Sequence, residues 1–164
     1  IGLDKMIEPL TAKFTRAMSS AVTAAKPIFL NAVKQMSFAD AASILLTDNA
    51  HAATDYFKKT MTPDLMKAFR PIIDSTANLE GASRDWNTIA SAYNKIPLIN
   101  NKLETSLTDF IAARAIDAMF VNVAQEEEQI RTKYEFRKTD MMKKVFGYAE
   151  QEMKRRAQQQ QPKN

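Results

Sequence analysis

Cysteine is absent from this 164-residue chain, which excludes disulfides, thiolate catalysis and sulfur-ligated metals. Glycine occurs three times, far apart, so no glycine-rich loop is available to cradle a phosphate. His51 is the only histidine. A metal site with two imidazoles from one chain is therefore impossible, and a Ser–His nucleophile would need His51, which has no nucleophile motif nearby. It reads as a helix-start or surface residue. Residues 48–59 fail the calcium-loop pattern, with alanines at ligand positions and no glycine at the sharp turn. No apolar run approaches the roughly 18 residues that span a bilayer. The chain opens IGLDKM, without an initiator methionine or a signal-peptide pattern, and is expected to be a processed product or a fragment lacking an N-terminal segment. No metal and no cofactor is expected.

What is present favours helix: Ala, Met, Leu, Lys, Gln and Glu are plentiful. The length suits one compact domain with a core that folds without disulfides. The net charge of +4 is unevenly placed. Residues 1–130 carry 13 Lys/Arg against 15 Asp/Glu, and residues 131–164 carry 10 against 4. The basic character thus belongs to the C-terminal end, as a solvated helix face or as a contact for an anionic partner.

Start and stop signals divide the chain. Leu3, Ile7, Leu10, Phe14, Ala17 and Ala21 form the stripe of an amphipathic helix, with Pro9 near its first turn. Pro27 demands a kink or a fresh start, after which Ile28, Phe29, Ala32, Val33 and Met36 continue a buried face. Ser37-Phe-Ala-Asp40 is a capping box opening a short helix through Leu46. Thr47-Asp48-Asn49 is turn and cap chemistry before a helix with Tyr56 and Phe57 inside. Thr62-Pro63-Asp64 has every mark of a helix start, and that helix should kink at Pro71 and stop at Gly81. Ser83 then caps a helix whose inner face is Trp86, Ile89, Ala90 and Tyr93. Lys95 to Asn101 reads as a loop. Ser106-Leu-Thr-Asp109 is a second capping box, opening the longest helix, about 107–133. Thr139-Asp140 starts the last helix, which either ends at Gly147 or continues weakly to Arg156. Residues 158–164 form a polar, low-complexity tail.

No alternating strand pattern appears, so the expected fold is all-α: a single compact bundle of six to eight helices over 1–147, with a basic, Gln-rich extension over 148–164.

Carboxylates are the remaining source of chemistry. Glu126, Glu127 and Glu128 are consecutive on the long helix, so at most one or two face inward and a solvated face is the simplest expectation. Asp117 sits among apolar neighbours three residues after Arg114, and the pair reads as a partly buried ion pair. An enzyme would need groups such as Asp117 and Glu127 to converge in a cleft. The aromatic and methionine positions fit core filling, or an apolar site between helices, for which Tyr56, Trp86 and Tyr93, with Asp117, are the candidate ligand contacts.

Four segments carry a resemblance: KPIFLNAVKQMSFADAASILLTDNAHAATDYFKKTM (26–61), YNKIP (93–97), LTDFIAARAIDAMFVNVAQEEEQIR (107–131) and TDMMKKVFG (139–147). Together they resemble an uncharacterised family of exported bacterial proteins known only as a domain of unknown function. The shared features fall on Lys26 and Pro27, Asp40 and Ala41, Ala52 to Phe57, Ala124 to Glu128, and Lys143 to Gly147. Thr47-Asp48-Asn49 stands where family members usually have glycine. The resemblance implies an exported, helical protein, periplasmic or envelope-associated, and supplies no catalytic residue.

The expected function is accordingly non-catalytic: an interaction or structural protein of the cell envelope, or an accessory subunit of a larger complex. The alternative is a carrier of an apolar small molecule or lipid. A protein partner is expected. An anionic surface could be met through Lys143, Lys144, Lys154, Arg155 and Arg156. No nucleic-acid module is visible.

Overall fold

A computed structural model describes residues 14–77, 80–97 and 100–159. Every regular element among the described residues is helical, so the fold is all-α. Residues 14–23 form α1. Then follow α2 (Ala25–Gln35), α3 (Phe38–Leu45), α4 (Ala52–Ala77), α5 (Glu80–Asn94), α6 (Leu107–Thr132), a 3-10 turn (Tyr134–Phe136) and α7 (Asp140–Gln159). Leu3, Ile7, Pro9, Leu10 and tail residues 160–164 lie outside the described residues.

The chain forms two compact units. The first is built from the described parts of Ile1–Leu30 and Met61–Met119, and the second from Asn31–Thr60 and Phe120–Asn164. The first unit holds almost all of the tightly buried apolar residues. Ala17, Ala21 and Ala25 line up at intervals of four, as do Met61, Leu65, Phe69 and Ile73 on α4, and α6 supplies Leu107, Ile111, Ala115 and Ile116. Ala90 joins them from α5. Among the described residues of the second unit, the buried ones are Phe120 and Ala149, with the polar Thr54, Glu127 and Arg137. Among the described residues, the first unit therefore holds the larger fully buried apolar core, while Ile44, Leu45, Val123, Ile130, Met142 and Phe146 of the second are half-buried.

Local signals account for several boundaries. The Ser37 hydroxyl accepts from the Asp40 amide (3.1 Å), and the Ser37 amide donates back to the Asp40 carboxylate (3.3 Å), completing the box. Ser37→Ala should cost about 1 kcal/mol, read as a lower urea midpoint at unchanged slope; an unchanged midpoint would show that α3 does not depend on its cap. Thr139 caps α7 by accepting from Met142 (3.1 Å). The break before Pro27 falls at Ala24, which puts the proline in the first turn of α2.

Other boundaries differ from expectation. Thr62-Pro63-Asp64 does not start a helix: α4 runs through both Pro63 and Pro71. Each proline removes one backbone hydrogen bond. The Met61, Leu65, Phe69 and Ile73 stripe continues unbroken across both, and its burial outweighs that loss. Gly81 does not stop a helix and Ser83 does not cap one, because both lie inside α5. Gly147 is likewise interior, and α7 continues to Gln159. Val33 on α2 and Ile89 on α5, expected on inner faces, are exposed. Asp109 makes only half of the second box. Its amide donates to Ser106 Oγ (3.2 Å), but its carboxylate accepts from Arg70 (2.5 and 3.2 Å), and the Ser106 amide donates to Glu104 instead (3.0 Å).

Candidate functional site

The second unit contains an arrangement centred on Glu127. On α6 this residue follows Phe120 and Val123 and precedes Ile130 at spacings of three and four, so helical geometry puts a carboxylate on the apolar stripe. Glu127 is 8% exposed, while its neighbours Glu126 and Glu128 are exposed. Its partner is the N-terminus of α4, where the first amides have no acceptor within their own helix. The Ala53 amide donates to Glu127 Oε1 (2.8 Å), and the Thr54 amide and hydroxyl both donate to Oε2 (2.7 Å each). Glu127 thus caps α4 from more than seventy residues away.

Arg131, one turn later on α6, closes the network. Its Nε donates to Glu127 Oε1 (2.9 Å), and its Nη2 donates to the Ile44 carbonyl at the end of α3 (2.7 Å). One buried ion pair therefore holds the end of α3 and the start of α4 against α6. Between those ends, Asn49 shapes the loop by accepting from the His51 amide (2.9 Å) and donating to Asp55 (2.9 Å). His51 lies just before α4, and its carbonyl accepts from the Asp55 amide (2.8 Å). Burial alone would raise the Glu127 carboxyl, but donors from Ala53, Thr54 and Arg131 outweigh it and hold the group below its ordinary range.

Beside this network lies a cavity of about 430 Å³, walled by Ile44 and Leu45 of α3, Val123 and Ile130 of α6, and Met142 and Phe146 of α7. Glu127 and Arg131 border it, yet the cavity presents almost no polar surface, because their polar atoms face each other, α3 and α4. Exposed Asn122 and Glu126 stand at its rim. The space is open to solvent, and its volume lies within the size range of ligand sites.

A second buried charge sits next to it. Arg137 is 4% exposed, and its Nε and Nη2 donate to the carbonyls of Ile130 (3.0 Å) and Arg131 (2.9 Å) at the end of α6. Nη2 also donates to Glu150 on α7, and the guanidinium stacks over Phe146 with its carbon 5.2 Å from the ring centre.

The residues expected at a ligand site are placed elsewhere. Asp117 pairs with Arg114 at 3.0 Å on the surface of α6. Trp86 donates from its indole nitrogen to the Glu104 carbonyl (2.8 Å) and packs on Phe110 (4.5 Å between rings). Tyr93 is half-buried on α5. Tyr56, also half-buried, packs edge-on against Phe57. None of the four lines the 430 Å³ cavity. Of the basic residues, Lys143 pairs with Asp140 (3.7 Å) and lies over the Tyr134 ring, while Arg155 and Arg156 both donate to Glu152 (2.7 to 3.0 Å). Hydrogen bonds from Arg155, then Arg156, hold the Glu152 carboxyl at about 2. Lys144 and Lys154 are exposed. Among the described residues, no helix is long and apolar enough to cross a membrane.

These features define an all-α protein whose second unit has an apolar cleft bordered by an internally satisfied ion pair. The chain belongs to DUF4197, a family of proteins of unknown function whose model matches residues 1–147. No curated protein and no solved structure matches it.

Proposed function

We propose that this chain is a non-catalytic interaction protein whose second unit receives an apolar group of a protein partner in the cleft between α3, α6 and α7. The observation that carries this reading is the 430 Å³ apolar space in a unit whose fully buried apolar residues, among the described residues, are Phe120 and Ala149. An inserted side chain would complete that unit's packing, as an anchor does at an interface. The carboxylates favour binding over catalysis: Glu127 accepts from three donors on α4 and from Arg131, and Asp117 pairs with Arg114. The resemblance to exported bacterial proteins favours an accessory role in an envelope assembly. A second reading, carriage of an apolar small molecule, draws on the same volume, which suits such ligands.

The two readings separate by photo-crosslinking from a benzophenone side chain placed at Ile130 in cells. Adducts with one protein of discrete mass are expected, and they should fall at least tenfold when Val123→Trp fills the cleft. Adducts of lipid or metabolite mass alone would favour carriage. No adduct, with the helical circular dichroism unchanged, would overturn both.

A further inference from the structure

We infer that one flank of α7, beside its buried face, is a docking surface for an anionic lipid membrane. Met142, Phe146, Ala149 and Met153 face the second unit's cavities, with Ala149 buried. One residue earlier at each of the first three steps, Met141, Val145 and Tyr148 form a neighbouring stripe at the same three- and four-residue spacing. They are 70%, 37% and 62% exposed.

At 100° per residue, Lys144 and Arg155 flank one side of this stripe and Arg156 the other, while Glu152 continues the line of the stripe four residues after Tyr148. Glu152 is enclosed by Arg155 and Arg156, which donate to both its oxygens. The three cations against one carboxylate leave the face at +2, within a segment (131–164) that carries 10 Lys/Arg against 4 Asp/Glu. Lys143 and Lys154 project to the other side of the helix, where Lys143 is engaged by Asp140 and Tyr134.

The chemistry of this face selects its partner. A helix lying flat in a membrane interface shows an apolar face with Lys or Arg beside it, and a tyrosine suits the headgroup level. Lys and Arg can lay their methylene stems on the apolar layer while the charged heads reach phosphate. The net positive charge selects anionic over neutral lipid. The inference is independent of the cleft reading, because it uses a different face of α7.

The test is flotation of the whole chain with vesicles of phosphatidylcholine containing 30% phosphatidylglycerol, against phosphatidylcholine alone. Binding to the anionic vesicles is expected, decreasing when salt is raised from 0.05 to 0.5 M. Lys144→Gln should weaken it about fivefold, the equivalent of one interfacial charge. Met141→Ser with Tyr148→Ser should weaken it at least tenfold, while Lys154→Gln stays within about twofold. The helical circular dichroism of each variant is checked alongside. Equal binding to neutral vesicles, no binding to anionic ones, or an equal loss with Lys154→Gln would overturn the inference. So would self-association in lipid-free solution that Met141→Ser with Tyr148→Ser abolishes, since the stripe would then belong to a protein interface. Val123→Trp should leave vesicle binding unchanged, so failure here and failure of the cleft reading are distinguishable.

Discussion

Replacing Glu127 with alanine should destabilise the second unit by about 3–5 kcal/mol, the cost of removing one partner of a buried ion pair. The change leaves the Ala53 amide, the Thr54 amide and hydroxyl, and the Arg131 guanidinium without their acceptor. It also opens a small void beside an existing cavity. Glu127→Gln keeps the shape and one acceptor oxygen but turns an amide group toward donors, so about 2 kcal/mol is expected. Urea unfolding followed by circular dichroism measures both, and amide exchange locates them: Ala53 and Thr54 should lose protection first. A cost below about 1 kcal/mol for the alanine variant would mean that water replaces the carboxylate.

The same network fixes a pH dependence. The folded state holds the Glu127 carboxyl below its ordinary value of 4.5, so the folded protein favours the ionised form more than the unfolded chain does. That stabilisation is fully present above about pH 4.5 and is lost as pH falls through the lower folded value. The stability gap between the natural chain and Glu127→Gln should therefore narrow as pH is lowered from 6 toward 3. A gap that stays constant across that range would show that the carboxylate's charge contributes nothing.

Glu127 also shows where sequence reading stops. Val123 and Ile130 mark it as a stripe position, with Arg131 one turn away, and that pattern alone distinguishes it from Glu126 and Glu128. Its acceptor role was not legible, because the donors belong to a helix start more than seventy residues earlier. Ser37 and Asp40 are the opposite case: both halves of the box lie within one turn, and the structure contains both. Ser106 and Asp109 have the same spacing, yet Arg70, from α4, takes the Asp109 carboxylate. Pro63 misled for a related reason. Its cap signals are local, while the buried stripe that carries α4 through it is satisfied by other helices. The candidate cleft was the least legible feature, since its walls come from four helices separated in sequence.

Arg137→Ala should cost about 3 kcal/mol, and the cost should come mainly from the end of α6 rather than from the ion pair with Glu150. The last carbonyls of a helix lack internal donors, and the Arg137 guanidinium supplies them at Ile130 and Arg131 while it is 4% exposed. Charged hydrogen bonds of this kind are worth about 1.5–3 kcal/mol each. The Glu150 side chain is half exposed, so Glu150→Gln should cost less than about 1 kcal/mol. Arg137→Lys keeps the charge but loses the fork that reaches two carbonyls, and should recover less than half of the alanine loss. Urea midpoints of the three variants decide this; a Glu150→Gln cost equal to that of Arg137→Ala would assign the stability to the ion pair. The distinction bears on α7 beyond Gly147, where the family match ends. Ala149 is buried there, Glu150 meets Arg137, and Met153 lines a recess with them. Cutting the chain after Gly147 would therefore disturb the second unit's packing as well as remove its basic end. Lys144→Gln, which leaves Ala149, Glu150 and Met153 in place, is the substitution that tests the basic end by itself.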